Sequence, residues 1–193
     1  MKYYISLDNG VSGSVCILDE SGKLMFYGPT PVRRKLNYTK AVGYSNRLDG
    51  TALRAILEPY SEHCTLVLER PMINPGRWNA TVSAIRCDEA TNIVIDLLGI
   101  KLIYVDSRDW QTPMLPTRPA VKGKLFKIPK KAKASEYLEE REANKALKAK
   151  RAAFALETKA LSLAVGQRLF PAITFKKDAD SAVQCEWARL NKL

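Results

Sequence analysis

The pattern that most constrains this chain is a set of short apolar runs that close on carboxylates. Lys2-Tyr3-Tyr4-Ile5-Ser6-Leu7-Asp8 has the length and composition of a buried strand with an acid at its exit. Asp8-Asn9-Gly10 breaks it, residues 13–19 and 23–27 resume it, and Asp19-Glu20-Ser21-Gly22 separates those two. Links this short join antiparallel neighbours, so the first three strands form a meander. Cys64-Thr65-Leu66-Val67-Leu68-Glu69 again closes on an acid, and Lys101-Leu102-Ile103-Tyr104-Val105-Asp106 reads as the fifth strand, with helical periodicity between them. Alternating strands and helices require parallel neighbours and right-handed crossovers. The expectation is an α/β fold: a mixed five-stranded sheet, three strands antiparallel and then two parallel, flanked by helices.

Residues 28–44 read as a loop carrying Arg33-Arg34-Lys35, either solvated or against phosphate. A helix is expected from about 46 to 57, with Leu48, Leu53, Ile56 and Leu57 turned inward. From 79 to 98, Ala84, Cys87, Thr91, Val94 and Leu98 share one helical stripe, which Ile93 and Leu97 widen, and Gly99 ends the run. A face so broad can cover a sheet and still meet a partner subunit. Ser107 is placed to cap a short helix through Asp109, Trp110 and Leu115. Residues 113–150 form a basic insertion within a single domain spanning 1–193. Its first part is proline-rich and reads as a flexible loop, and 135–150 is helix-forming and highly charged. Apolar residues return at Phe154, Leu156, Leu161, Leu163, Val165 and Leu169 before Pro171. A final helix follows, with Val183, Trp187 and Leu190 inward and Asp178 as its N-cap.

Charge narrows the function. With 31 Lys and Arg against 20 Asp and Glu, the net charge is +11, which favours a polyanion such as nucleic acid. Cys16, Cys64, Cys87 and Cys185 form no Cys-x-x-Cys pair, so a zinc ribbon, a thioredoxin-like motif and a secreted disulfide framework are all disfavoured. Buried reduced thiols are expected instead. His63 stands alone, which excludes multi-His metal sites and disfavours a Ser-His-Asp triad. No bilayer-length apolar segment or signal-peptide pattern is present, so the cytoplasm is the expected location. Hydrolytic chemistry in such a chain falls to carboxylates and a hard cation.

Asp8, Glu69, Asp178 and Asp180 are the candidate catalytic and metal-binding acids. If the first and fourth strands are parallel neighbours, Asp8 and Glu69 fall on one sheet edge, and the final helix can add Asp178 and Asp180. Carboxylates gathered this way repel unless cations lie between them. Oxygen donors without His or Cys suit Mg²⁺ or Mn²⁺, and several of them suit a two-metal phosphodiester site. Asp178 is equally readable as a helix cap. It stands two residues before Asp180, and residues at that spacing do not share a helix face.

Asp8-Asn9-Gly10, Leu68-Glu69-Arg70-Pro71 and Lys176-Lys177-Asp178-Ala179-Asp180-Ser181 resemble, in this order, the acidic motifs of RuvC-type Holliday junction resolvases. The likeness is to compact viral and phage-type members of the ribonuclease H-like superfamily, and residues 159–171 are similar to the helix before their last motif. The resemblance implies a homodimer that nicks opposed strands of four-way or other branched DNA with two Mg²⁺ per site, Mn²⁺ substituting. Asp8 would bridge both ions, Glu69 would bind one, and Asp180 would be the final helix acid. The family's fourth acid lies three or four residues before the last, where this chain has Lys177 and Lys176. Arg70, Arg77, Lys122, Lys124, Lys127, Lys130, Lys131, Lys176 and Lys177 are the implied DNA contacts, with residues 118–133 embracing junction arms. Met72, Trp78 and Phe126 are candidates for a wedge at the junction centre, although loop packing is the plainer expectation for each. The rivals are a ribonuclease H-like enzyme acting on flaps or RNA–DNA hybrids and a non-catalytic junction-binding protein. An actin-like phosphotransferase needs a second such domain, which this length does not supply.

Overall fold

A computed structural model describes residues 1–8, 10–37, 42–133, 135–176 and 179–193. Five strands form one sheet: β1 (Tyr3–Leu7), β2 (Ser14–Asp19), β3 (Leu24–Pro29), β6 (Cys64–Glu69) and β7 (Lys101–Val105), in the order β3-β2-β1-β6-β7. β1, β2 and β3 pair antiparallel, whereas β1–β6 and β6–β7 pair parallel. The meander followed by two parallel strands is therefore present, with helices on both faces.

Side-chain alternation sorts the core into two layers. Ile5, Leu7, Val15, Ile17, Leu66 and Leu68 pack with residues of α1 (Gly50–Leu57) and α2 (Trp78–Leu98). On the opposite face, Tyr4, Cys16, Leu18 and Val67 pack with Trp110 of α3 (Ser107–Met114), Val165 of α4 (Leu138–Leu169) and Val183 of α5 (Asp180–Leu190). All four cysteines are free, and Cys16, Cys87 and Cys185 are buried in these layers. Among the described residues no helix is long and apolar enough to cross a membrane.

Four local expectations need correction. The loop expected over 28–44 contains β4 (Val32–Leu36), which pairs antiparallel with β5 (Tyr44–Leu48) as a separate two-stranded sheet. Every β4 residue is exposed, so the strand has no buried apolar face to announce it. The helix expected from 46 begins only at Gly50, because β5 occupies the preceding residues and Asp49 caps α1, its Oδ1 accepting from Ala52 N at 3.2 Å. At α3 the cap is Asp106 rather than Ser107. Asp109 Oδ2 accepts from Asp106 N at 2.8 Å, closing a capping box. At α5 the N-cap position falls on Ala179 rather than Asp178. Asp178 and Lys177, both expected site residues, lie outside the described residues.

The insertion resolves into two parts. α4 is one helix of 32 residues, about 48 Å long at the standard rise. Its last turns are buried against the rest of the fold at Ser162, Val165 and Gly166. The irregular stretch before it is laid along α4. Asn144 bonds both the N–H and the carbonyl of Phe126, at 2.8 and 3.0 Å, and Arg151 donates to Gly123 O at 2.8 Å. Arg118 pairs with Glu157 at 3.0 Å and lies over the Phe154 ring.

Candidate active site at the carboxyl edge of the sheet

In the parallel pairing of β1 with β6, Leu7 is the register partner of Leu68. The next residue on each strand is an acid, so Asp8 and Glu69 stand side by side where the two strands end. Glu69 is in turn the partner of Val105, which puts Asp106 one residue further along the same edge. A parallel pair in register directs partnered side chains to one face, and here that face belongs to α5.

Asp8 is held from behind by its own turn. Its N–H donates to Ser14 O at 3.0 Å, and Gly13 closes over its carbonyl. A Cβ on residue 13 would lie 2.1 Å from Asp8 O, so the turn admits only glycine there.

Asp180 reaches the edge through α5. Ser181 Oγ and Ser14 Oγ share a hydrogen bond of 2.6 Å, Ser6 Oγ donates to Gln184 Oε1, and Cys185 Sγ donates to Tyr4 O at 3.0 Å. These contacts tie successive turns of α5 to β1 and β2, with its first residue at the sheet edge. α4 sets the same end from outside. A Cβ on Gly166 would fall 2.2 Å from the Cβ of Ala179, which is fully buried just before Asp180.

Glu69 is governed by burial first and by the neighbouring acids after it. Burial is the main cause that pushes its carboxyl up from 4.5 to about 7, and the charges of Asp8, Asp180 and Asp106 push the same way. The Trp110 indole N–H, donating to Glu69 Oε1 at 2.5 Å, pulls in the opposite direction and orients the carboxylate. Trp110 is 1% exposed, and an indole so buried needs an acceptor for its N–H.

Asp8 and Glu69 border a cleft of about 640 Å³, whose charged walls also include Arg70, Arg77, Asp106 and Arg108. Ala80, Thr81 and Ala84 of α2 also line it. Thr81 anchors the overhanging loop: its Oγ1 accepts from Asn74 N at 3.1 Å and donates to Asn74 O at 2.9 Å. Arg70 forms an exposed 3.0 Å ion pair with Asp106.

Asp8, Glu69, Arg70 and Arg77 line one cleft, and the charge of Asp180 is felt at Glu69. Lys122, Lys124, Lys127, Lys130 and Lys131 are exposed on the stretch beside α4, and none lines the cleft. Lys176 is exposed before α5 and does not line it either. Met72 in its loop and Trp78 at the start of α2 are not packed away, at 80% and 69% exposed, and Phe126 is 56% exposed. Sequence reasoning missed Asp106, Arg108 and Trp110 as site residues. Asp106 carried a usable signal, since it repeats the acid-after-strand pattern of Asp8 and Glu69.

The donor chemistry fits a hard cation, because every acid here offers only carboxylate oxygen. Among the described residues no group of three or more His, Cys, Asp or Glu is close enough to form a ready-made cage. Mg²⁺ does not need one, since it is commonly held by one or two carboxylates together with water and substrate phosphate. No protein-family model matches the chain, and no curated protein sequence matches it.

Proposed function

We propose that the chain is a divalent-metal-dependent endonuclease of the ribonuclease H-like type that nicks branched DNA, four-way junctions above all, as a homodimer. The observation that carries this reading is the in-register placement of Asp8 and Glu69 at the ends of two parallel strands. α5 adds Asp180 to the same edge. Asp8, Glu69 and Asp180 would hold Mg²⁺ or Mn²⁺, which when bound lowers the pKa of the attacking water and stabilises the leaving oxygen.

The chain's own residues have separate tasks. Trp110 keeps the Glu69 carboxylate in one orientation. Arg70, Arg77 and Arg108 give the cleft walls the charge and planar donors that suit phosphate. The Arg70–Asp106 pair is solvent-exposed, so releasing Asp106 for a phosphate costs little. The net charge of +11 supports a polyanionic substrate. Trp78, Ile85, Ile93 and Leu97, exposed on α2, offer an apolar surface for a second copy. The preference for junctions rests on the order of the acidic motifs.

The test compares labelled four-way junction, linear duplex and RNA–DNA hybrid with Mg²⁺, wild type beside Glu69→Gln. Nicking of the junction is expected, reduced about a hundredfold or more in the variant. Cleavage undiminished in Glu69→Gln would refute the site, and preference for the hybrid would replace the substrate while keeping the chemistry.

A further inference from the structure

A second hollow of about 340 Å³ lies between the β4–β5 hairpin and α2. Arg33, Lys35, Arg47 and Arg86 line it, and no acid does. It adjoins the carboxylate edge: Val11, on its wall, is three residues beyond Asp8, and Ser83 of α2 lines it while the next residue, Ala84, lines the cleft.

These cations are arranged at a cost. Arg33 and Arg47 are direct cross-strand partners, and like charges in that position destabilise a hairpin. Lys35 lies on the same strand face as Arg33, whereas Arg34 turns to the other face and stacks on the Tyr44 ring, 4.8 Å from its centroid. Among the described residues, none of Arg33, Lys35, Arg47 and Arg86 forms an ion pair. A solvated basic face would spread such charges apart. Gathered in a concavity of about 340 Å³, they focus positive potential in a hollow that a strand's phosphates can enter and a flat layer of headgroups cannot.

We propose that the groove between the hairpin and α2 seats the sugar–phosphate backbone of a nucleic-acid strand and anchors it beside the cleft. The nature of the polyanion rests on the nuclease reading; the groove's own role does not depend on chemistry at the carboxylates.

Fluorescence anisotropy in EDTA, where metal-dependent cleavage is silent, tests this with a labelled four-way DNA junction and a linear duplex over a range of salt. Arg33→Gln/Arg47→Gln is expected to weaken both about tenfold or more. Its plot of log K against log[salt] should be shallower by about 0.9 for each phosphate that the variant no longer neutralises. Its melting temperature should be unchanged or higher, because a like-charge pair has been removed. Arg86→Gln leaves the hairpin intact and provides the same reading should the double variant fail to fold. Unchanged affinity and slope in these folded variants overturns the proposal. So does wild-type binding to anionic vesicles that is tighter than to DNA and abolished in the variants, which reassigns the groove to a lipid surface. A wild type that binds through the groove yet never cleaves refutes the nuclease reading and leaves this one standing. Cleavage with an unaltered salt slope does the reverse.

Discussion

Beside Asp8 and Asp180 a buried glycine leaves no room for a Cβ, and Glu69 is held by the buried indole of Trp110. The stretch beside α4 is also ordered by directed bonds, but these lie at the surface, where water can replace them. The first region fixes the backbone that carries these acids, and sequence at Gly13 and Gly166 is constrained down to single methyl groups. The second presents many lysines on a support that tolerates exchange. Fixed geometry suits chemistry on one bond, and a tolerant basic surface suits contact with a partner whose path varies.

The largest effects should come from filling the two closest approaches. Gly13→Ala and Gly166→Ala each place a Cβ within 2.2 Å of an existing atom, Asp8 O and Ala179 Cβ respectively. Each should lower stability by about 2–3 kcal/mol, read as a shifted midpoint in urea unfolding. A midpoint that does not move would show that the edge can relax and would end the contrast with the α4 stretch.

Glu69 sharpens the contrast through pH. Its folded value near 7 lies above the ordinary 4.5. In the metal-free protein the ionised carboxylate therefore opposes folding. That cost is absent below about pH 4.5, grows through the window up to about 7, and is full above it. Glu69→Gln should be nearly neutral in stability at pH 5 and stabilising at pH 8, by at most about 3 kcal/mol, as followed by thermal melts at the two values. Equal effects at both would mean that burial and the neighbouring acids together do not raise the Glu69 carboxyl.

The smallest effect belongs to the arm. Asn144→Ala removes both bonds to the Phe126 backbone, which are exposed. It should cost less than about 1 kcal/mol and leave the melting temperature nearly unchanged. Amide exchange at Phe126 should nonetheless quicken, detectable by mass spectrometry. A large drop in global stability would show that the arm is part of the core.

Much of this was legible in the residues alone. Strand-length apolar runs, the short turns of the meander and the helical spacing between later strands are local patterns, and local patterns report which elements form and in what order. They also placed Asp8 and Glu69 at strand ends, because an acid directly after an apolar run has nowhere else to sit. β4 escaped notice because Arg33, Arg34 and Lys35 carry no buried alternation, and its strand character exists only through pairing with β5. The Trp110 bond to Glu69 joins residues 41 apart in sequence, and Gly166 meets Ala179 only because α4 and α5 cross closely. The sequence by itself determined which elements form, the sign of the surface and which acids can share an edge. Register, close approach and the gathering of cations beside α2 were decided by tertiary structure, since each depends on atoms brought together from distant parts of the chain.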